Sequence, residues 1–594
     1  MESYYNSTEF MDEKRKQLFQ SLEQKILSLR NEKGMWTGRL SSSALSTALA
    51  VFALCQFDKE KYRSEIDQGL SWLIANRNPD GGWGDTIRSQ SNLSTTLLTW
   101  ATFSIVNGEK GFQEPIQDAE IWLKRRVGSL DPEAISEAIL DHYKSDQTFS
   151  VPILAMCAIS GRLGEKGWKL VPQLPYHLAI FPNRLFRWLN LSVVSYAIPA
   201  LIAIGLVKSQ NSNKGVFRRI VRAACRKRVL NVLKAKQPDN GGFLEATPLT
   251  AFVLMSLVKA NYHELEVCDK ASQFLAQSIR EDGSWPIDTN LSTWVSSLSL
   301  NALSSESLAK LDNKAEIKIN LIEQQYKVVH PFTKIKPGGW AWTNLQGGVP
   351  DTDDTSGALI ALHHLNKDED ISLDVVKNGI HWLMGMQNSD GGFPTFCKGW
   401  GKLPFDSSCP DITAHAIKSF VVWKERFDKK FQKKIDKRIK KAIAYLGKAQ
   451  YRDGSFAPLW FGNELAEHHQ NPVYGTSIVL YSLSDLKKAG YSGLNSMMEK
   501  AIRFLAMVQH HHGGWGADKD LPPSIEETSL ALRAMAACGK TSLANRAADC
   551  LMKIIPENLD DIKATPIGLY FASLWYYEDM YPLVFACAAL KELE

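Results

Sequence analysis

Three carboxylates within four residues make the strongest chemical signal in the sequence. Asp351, Asp353 and Asp354 stand in residues 349–360, directly before an apolar stretch with helical spacing. Together with Pro350, these acids predict the start of a helix, where the helix dipole favours negative charge. Capping of the helix would explain one acid but poorly explains three. The cluster therefore predicts a site that carries out chemistry.

The acid cluster fits two kinds of chemistry. The carboxylates could hold a divalent metal, as in Mg²⁺-dependent diphosphate chemistry. Alternatively, mutual repulsion keeps one carboxyl protonated, so that it can act as a Brønsted acid. A second fragment favours the acid, because Asp411 and His415 lie one helical turn apart on one face. A cationic histidine would stabilise the conjugate base of a neighbouring acid and make it a stronger proton donor.

The elements that must position these residues come from an internal repeat. Its unit is a helical stretch with an aromatic–Leu pair, a Gln or similar residue, and then Asp-Gly-Gly/Ser-Trp/Phe. Between the last five copies the final aromatic recurs every 53 to 63 residues, which leaves room for two helices and a turn. The clear copies end at Trp83, Trp285, Phe393, Phe456 and Trp515, and weaker copies end at Trp36, Phe243 and Trp340.

The segments around the repeat predict an all-α protein. Small and large apolar residues alternate at spacings of three and four, and extended β-branched alternation is nearly absent. We therefore predict helix pairs joined by turns in which Gly supplies a positive φ and Asp caps the turn. We interpret the repeat as architecture that holds a toroid together, with its Gln capping backbone amides.

Composition limits the remaining possibilities. The 594 residues are too many for one compact core, so two domains or a repeat array are expected. The net charge of +5 is small for this size, so nothing indicates a nucleic acid partner. Nine scattered cysteines without CxxC spacing indicate a reducing compartment, no disulfide framework and no zinc site. The polar start of the chain shows no signal peptide.

The repeat spacing also predicts how the chain is divided. Copies are missing between Trp83 and Phe243, which indicates an insertion in the first half. We predict an N-terminal helical segment over residues 1–40 and a first domain over 41–305, with the insertion at about 172–236. The second domain covers 306–594 and carries the acid cluster.

The insertion raises the question of a membrane. Residues 189–207 contain no charge, which is near the length of a spanning helix, but Asn190 and Pro199 interrupt them. Residues 208–236 follow with ten basic and no acidic residues, interleaved with apolar residues at helical spacing. This pattern favours a protein that lies on an anionic membrane face. A buried core helix with a solvated basic face and a true span are the alternatives.

Together these features resemble the squalene–hopene-cyclase-type class II terpene cyclases. The resemblance rests on the repeats, on residues 338–342 (Gly-Gly-Trp-Ala-Trp) before the Asp-Thr-Asp-Asp-Thr run, on residues 411–415 and on residues 474–476 (Tyr-Gly-Thr). It covers nearly the whole chain, although the repeat alone would also admit protein prenyltransferase β subunits. It implies two α/α barrels around a large apolar cavity, in an enzyme that sits monotopically on the cytoplasmic face of a membrane.

The resemblance also implies a role for each residue of the acid site. Asp353 would protonate a terminal alkene, while Asp351 and Asp354 would tune this acid and stabilise early cationic charge. His415 would be the hydrogen-bond partner of the acid, and Asp411 would orient that histidine.

Further residues are implied to line the cavity or to serve the acid. Tyr474 would take part in reprotonation through water. Rings that would stabilise carbocations are Trp294, Trp342 and Phe396, with Trp460, Tyr570 and Tyr577 in segments where this sequence departs from the family's pattern. Residues 455–474 are longer than the family's usual link, and the closing segment 568–582 has a shifted register. Cavity shape, and therefore the product, does not follow from the sequence.

We thus predict a metal-independent cyclase of squalene or a similar long polyprene, without a cofactor. A class II cyclase of a prenyl diphosphate, of the drimenyl or copalyl type, would instead need Mg²⁺ and basic residues. A protein prenyltransferase subunit would need zinc ligands, and only Cys397, Cys409 and His415 are loosely near each other. A toroid without catalytic activity would be a binding module. The expected partners are a hydrophobic linear isoprenoid and a membrane surface, and a homodimer is compatible with the sequence.

Overall fold

The chain is built almost entirely from α-helices. The computed structural model describes residues 2–106, 112–144, 147–174, 176–180, 198–211, 216–366, 370–398, 406–570 and 574–594, without the side chains of 2–10, 147, 178, 216–224, 569 and 570. Much of the predicted insertion, including residues 181–197, therefore lies outside the described residues.

Among the described residues of the first half of the chain, five buried helices pack side by side into a closed ring. In the first of them every residue from Ala44 to Leu54 is buried, as expected for a helix with neighbours on several sides. The ring helices are Ala44–Asp58, Leu93–Ile105, Gln147–Ile159, Ile198–Gln210 and Thr247–Lys259. An outer layer packs on them and consists of Arg63–Ala75, Gln113–Val127, Pro132–Tyr143, Val216–Lys234 and Glu266–Gln277.

A second closed ring contains six helices. They are Ser292–Ala302, Thr352–Leu365, Pro410–Lys424, Pro472–Lys488, Ile525–Ala537 and Tyr581–Lys591. Its outer layer contains the amphipathic helices Lys314–Glu323, Leu373–Met386, Lys429–Ala449, Asn495–Val508 and Thr541–Ile554. The short helix Ser305–Ala309 lies after the first ring helix.

The two rings divide the chain differently from the predicted boundaries. Ser292–Ala302 packs on Thr352–Leu365 and on Tyr581–Lys591, so the second ring begins before residue 306. The N-terminal helix Glu2–Ser28 packs on the last helix and belongs to the second ring as well. The repeat explains this arrangement, because the backbone N–H of Trp36 donates to the hydroxyl of Ser296 at 2.9 Å.

At four of the five clear copies the repeat turn joins an outer helix to the next ring helix in the same way. At the copy that ends at Trp285, the backbone N–H donates instead to the hydroxyl of Thr47 in the ring helix Ala44–Asp58.

At the last copy the N–H of Trp515 donates to the hydroxyl of Thr528, in the ring helix, at 2.9 Å. Gly513 has φ +97°, as the turn was predicted to require. The side-chain amide of Gln509 donates to the carbonyls of Gly513 (2.7 Å) and Leu543 (3.0 Å). The glutamine therefore ties two outer helices through carbonyl groups and does not cap amides as predicted.

Two short antiparallel strand pairs supplement the helices. Ser42–Ser43 pairs with Trp285–Pro286, and Gly568–Tyr570 pairs with Leu574–Tyr576. Short 3₁₀ turns occur at Gly167–Lys169, Tyr176–Ile180, Phe243–Glu245, Glu467–His469 and Leu559–Asp561. In the part of the chain that the structure describes, no helix has the length and apolar character that a membrane span requires.

Candidate active site

The acid cluster begins the second-ring helix Thr352–Leu365, as predicted. Asp351 is its N-cap, and its carboxylate accepts the N–H of Asp354 at 2.9 Å. The repeat turn fixes this start, because the N–H of Asp351 donates to the carbonyl of Trp340 at 3.0 Å. The N–H of Trp340 in turn donates to the hydroxyl of Thr355 at 2.9 Å. The acids therefore occupy a position that the architecture holds rigidly.

Asp353 and His415 are joined directly. His415 belongs to the neighbouring ring helix Pro410–Lys424, and its Nδ1 lies 2.5 Å from Oδ1 of Asp353. The two side chains are 23% and 17% exposed, so both remain accessible. The ring of Trp294 meets the imidazole edge-on, with 6.2 Å between the ring centroids. This arrangement matches the predicted pairing of the acid with a histidine.

Asp351 and Asp354 lie in a more buried environment than Asp353. Burial raises the pKa of Asp351 to about 7, and the charge of Asp353 contributes. Burial also raises the pKa of Asp354 well above its ordinary value, with further increases from the charge of Asp351 and a hydrogen bond to it. One oxygen of each carboxyl is buried without a hydrogen-bond partner. Burial therefore favours the protonated forms of Asp351 and Asp354, and the cluster carries less negative charge than three carboxylates would.

Asp411 is buried beneath the Asp353–His415 pair. Its carboxylate accepts a hydrogen bond from the thiol of Cys409 at 2.6 Å. Burial raises the pKa of Asp411 to about 7, and the charge of Asp353 adds to this increase. Among the described residues no hydrogen bond joins Asp411 to His415, so the predicted orienting contact is replaced by one with the thiol.

Asp353 lies between two cavities. The first is apolar, contains about 1260 Å³ of empty space with its opening, and is lined by side chains from both rings. The second is polar, contains about 1910 Å³ measured in the same way, and is lined by all six helices of the second ring. Asp353 and Trp294 line both cavities. The polar cavity reaches the protein surface at Lys488, whose side chain is 63% exposed.

The polar cavity contains the other groups of the site. Asp411, His415 and Tyr474 line it together with Asp353. The ring of Tyr474 stacks on Phe461, with 4.2 Å between the ring centroids. Burial, together with the charges of Asp353 and Asp411, raises the pKa of Tyr474 well above its ordinary value. Tyr474 therefore remains neutral and could order water beside the acid.

Aromatic side chains form much of the wall of the apolar cavity. Four of the predicted rings line it: Trp294, Trp342, Phe396 and Trp460. Trp342 and Phe396 lie 6.4 Å apart between ring centroids. The indole N–H of Trp460 donates to the hydroxyl of Thr395 at 2.7 Å, which fixes the ring at the wall.

The closing segment places a different tyrosine at the cavity. Tyr576 lines the cavity, whereas Tyr577 is not among its lining residues and lies under the guanidinium of Arg88, 4.2 Å from the ring centroid. The reason is that side chains alternate between the two faces of a strand. In the strand of residues 574–576, Leu574 and Tyr576 share the face that lines the cavity. The side chain of Tyr570 lies outside the described residues.

Sequence reasoning also missed other lining residues. Phe149 and Phe252 come from ring helices of the first barrel, Phe461 from the loop after the fourth clear repeat, and Asp288 from the segment after Trp285–Pro286. The two ring-helix phenylalanines resemble ordinary core residues in the sequence. Asp288 lies three residues after the repeat residue Trp285, whereas the acid cluster begins eleven residues after Trp340, so spacing offered no signal for it.

No group of three His, Cys, Asp or Glu side chains is arranged to hold a metal ion within the described ranges. The residues considered as zinc ligands have other contacts, since Cys409 donates to Asp411 and His415 pairs with Asp353. The sequence predicted that the protein needs no cofactor, and that Mg²⁺ takes part only if the substrate is a diphosphate. Both statements stay predictions.

Comparison with known proteins gives the family. A family model described as the squalene-hopene cyclase C-terminal domain matches residues 6–123 and 292–553, which is more than half of the chain. The chain belongs to the squalene–hopene cyclase family. This result confirms the predicted family, and with it the enzyme class, a class II terpene cyclase.

Individual relatives are distant but extend over most of the chain. The squalene–hopene cyclase of Alicyclobacillus acidocaldarius is 24% identical over 522 residues, which cover 77% of this chain and 76% of that protein. Enfumafungin synthase of Hormonema carpetanum is 23% identical over 600 residues, which cover 87% of this chain but 43% of that protein. The chain thus spans less than half the length of the second of these relatives.

A solved structure shares the architecture over its full length. The ent-copalyl diphosphate synthase from Streptomyces platensis superimposes with a TM-score of 0.57 at 15% identity, over 98% of this chain and 99% of that one. At this identity the likeness concerns the fold alone, and it confirms the predicted all-α architecture of two α/α barrels.

Proposed function

We propose that this cyclase protonates a terminal alkene of a linear, uncharged isoprenoid, squalene or a similar polyprene, and so starts a cationic ring closure. Asp353 is the proton donor. The observation that carries the proposal is the position of Asp353 between an apolar cavity and a polar one. One side can hold a hydrocarbon, and the other can return the proton.

The surroundings of Asp353 suit a strong acid. An alkene is so weakly basic that the donor's conjugate base must be stabilised. His415, 2.5 Å from the carboxyl, provides a hydrogen bond to that base. The burial of Asp351 and Asp354 acts in the same direction, because it favours their neutral forms, which do not repel the carboxylate that forms. No metal is needed for this step.

The apolar cavity suits the carbocations that follow. Water would quench them, and aromatic faces stabilise a desolvated cation by about 2 kcal/mol each. Seven tryptophan and phenylalanine side chains line this cavity, so cations formed along a folded chain would meet aromatic faces. A preshaped wall also reduces the entropy that each ring closure would otherwise lose.

The polar cavity suits the return of a proton to Asp353. Tyr474, His364 and Lys418 line it between the acid and the surface at Lys488. Water held by these groups would connect the Asp353 carboxylate to solvent without passing through the apolar cavity. This supports the reprotonation role predicted for Tyr474.

The substrate class follows from charge. None of the described residues that line the apolar cavity is a lysine or an arginine, so a diphosphate would lack a counter-charge there. This favours a neutral polyprene, in line with the squalene named for the Alicyclobacillus relative. The alternative is a prenyl diphosphate held with Mg²⁺, as the name of the structurally similar ent-copalyl diphosphate synthase suggests for that protein.

Incubation with squalene, farnesyl diphosphate and geranylgeranyl diphosphate, each with and without EDTA, tests the proposal. We expect conversion of squalene that EDTA leaves unchanged, with Asp353→Asn as the inactive control. EDTA-sensitive conversion of a diphosphate alone would establish the alternative. Mass spectrometry of the extracted products identifies the ring system.

A basic surface supports the predicted membrane partner. The outer helix Lys429–Ala449 carries eight lysines, one arginine and one aspartate, a formal charge of +8. Since the whole chain carries +5, the remainder is net negative. All eight lysines are exposed, while the apolar face of this lysine helix is buried against the ring.

The basic surface continues toward the predicted insertion. Lys434 of the lysine helix lies with Lys377 and Lys336 around His381, and Lys334 lies near Lys236 at the end of the insertion. Val328 and Val329, which shortly precede Lys334 and Lys336 in the sequence, are 71% and 55% exposed. An apolar tip among lysines suits the headgroup boundary of an anionic bilayer. Lysine without exposed aromatic partners is less typical of protein interfaces, where arginine and aromatic residues dominate.

Vesicle co-sedimentation tests this partner. We expect binding to vesicles that contain phosphatidylserine, and at least about tenfold weaker binding when four lysines of the lysine helix (430, 433, 434 and 437) are changed to Gln. The control changes the exposed Lys519 and Lys563 to Gln. Equal binding of both variants would exclude this surface. The cytoplasmic face and the homodimer stay predictions.

A further inference from the structure

Asp288 is a carboxyl group in the apolar cavity that the acid cluster does not explain. It is 2% exposed and lines the cavity together with Ile287 and Leu291. Apart from the three acids of the cluster, it is the one acidic residue among the described lining residues. The acid cluster belongs to the second ring, whereas Asp288 comes from the segment that connects the first ring to it.

The backbone around Asp288 is fixed. Residues 246 and 288 form an antiparallel bridge, in which the N–H of Thr247 donates to the carbonyl of Ile287 at 3.0 Å. The N–H of Thr289 donates to the carbonyl of Glu245 at 3.1 Å. Asp288 is thus held in one position at the wall, as a group that acts on a bound hydrocarbon must be.

The start of the neighbouring helix is formed by other residues. The N-cap of Ser292–Ala302 is Leu291, and the side-chain oxygen of Asn290 accepts the N–H of Ser292 at 3.1 Å. Helix capping, the common structural role of an aspartate just before a helix, is therefore assigned to other residues.

Glu245 offers a contrast a few residues away. Its carboxylate is also buried, and it accepts hydrogen bonds from the side-chain amide of Asn240 and from the N–H of Gly347, both at 2.7 Å. Glu245 therefore ties loops together, and it is not among the lining residues of the apolar cavity, whereas Asp288 is. Tyr576 lies near both Asp288 and the acid cluster. Burial raises the pKa of the Tyr576 hydroxyl, and Asp288 and Asp354 raise it further.

We infer that Asp288 is the base that ends the cyclisation. Its carboxylate accepts a proton from a carbon next to the last cationic carbon. The electrons of that C–H bond form the new double bond, and Asp288 becomes a neutral acid. It loses its proton to water that enters through the opening of the cavity after the product has left. The proton that Asp353 supplied is thereby balanced, and the reaction is an isomerisation. This inference rests on the proposed function.

The physical reason is the composition of the cavity. A hydrogen beside a carbocation is so acidic that a carboxylate suffices as its base, and no other carboxylate outside the protonating cluster lines the described cavity wall. The position of this base then decides which cation survives long enough to lose a proton. Asp288 would set the double-bond position and limit the number of rings.

Product analysis of Asp288→Asn tests the assignment, with Asp288→Glu and Asp353→Asn in parallel. Squalene is the substrate, and geranylgeranyl diphosphate replaces it if the wild type converts only that compound. We expect Asp288→Asn to consume substrate at no less than about one-tenth of the wild-type rate. More than half of its product should carry a different double bond, another ring or a hydroxyl group. Asp288→Glu should restore part of the original product, and Asp353→Asn should consume no substrate.

Other results would overturn the inference. Unchanged product ratios in Asp288→Asn would show that another group takes the proton. A loss of consumption as complete as in Asp353→Asn would place Asp288 before the first cation or, with a lowered melting temperature, in the fold. If the wild-type protein converts none of the substrates, the proposed function is overturned and not only the role of Asp288. The assay of the wild type distinguishes these two cases.

Discussion

The two cavities that meet at Asp353 differ in every property that matters to a proton donor. The apolar cavity has aromatic walls and, among its described lining residues, no lysine or arginine. The polar cavity is lined by Lys418, Arg533 and Lys591, by histidines and by carboxylates. Its ion pairs are close, such as Lys418 with Asp485 at 2.9 Å.

This difference teaches how one carboxyl can serve two incompatible requirements. A carbocation survives only where water is excluded, yet a catalytic acid must recover its proton from water after each turnover. Under the proposed function, the second ring meets both requirements because it places Asp353 at the boundary, with His415 and Asp411 on the polar side. Changes on either side should therefore have separable effects.

The largest effect should come from Asp353→Asn. The amide keeps the shape but has no transferable acid proton, so we expect turnover to fall by at least about 10³-fold. The melting temperature should stay within about 2 °C of the wild type. Asp374→Asn, at an exposed acid in the first turn of an outer helix, is the matched control and should retain full activity. Substantial activity in Asp353→Asn would mean that another group is the donor.

His415→Gln should have the next largest effect. Gln can still donate a hydrogen bond to Asp353 but cannot carry positive charge, so the conjugate base is less stabilised. We expect kcat to fall about 30- to 100-fold with little change in KM, measured under saturating substrate. A change in KM alone would assign the histidine to substrate binding.

His364→Phe should distinguish the contribution of the polar cavity to turnover from that of the apolar cavity. His364 lines the polar cavity, where burial lowers the pKa of its imidazole to about 3, so it is neutral. An apolar ring there would obstruct water but leave the apolar cavity intact. We expect multiple-turnover rates to fall about three- to tenfold while a single turnover proceeds at the wild-type rate. His381→Phe, outside both cavities, is the control, and equal losses in both regimes would contradict a proton path.

The smallest effect concerns stability. Burial raises the pKa of Glu527 and Glu578 to about 8, and that of Asp351 and Asp411 to about 7. The folded state keeps protons that the unfolded chain releases above about pH 4, so the free energy of unfolding falls as pH rises from about 4 to about 8. We expect the melting temperature to fall by about 5 °C between pH 5 and 8.

Glu578→Gln should reduce this dependence on pH. Gln keeps an oxygen that can accept the N–H of Arg39, as Glu578 does at 2.7 Å, but it has no proton to lose. The exposed Glu467→Gln should leave the slope unchanged. A melting temperature that does not depend on pH would show that these carboxyls are ionised in the folded protein.

Much of the fold and of the acid site followed from the sequence because both depend on local patterns. The repeat fixes helix pairs, and the start of the acid helix follows from residues within one turn. The ring boundary did not follow, because the packing of Ser292–Ala302 on the last helix is a contact between distant segments. Tyr577 was predicted at the cavity and Tyr576 was found there, because a three-residue strand is too short for its alternation to be recognised.

Closure of the second ring has a consequence for biosynthesis. The first helix of that ring, Ser292–Ala302, packs on its last, Tyr581–Lys591, and the N-terminal helix covers the same seam. A chain still emerging from the ribosome can close its first ring but must leave the second open until the final turns are translated. The carboxyl proposed as the proton donor thus reaches its final surroundings late, when the last of the helices around both cavities has been added.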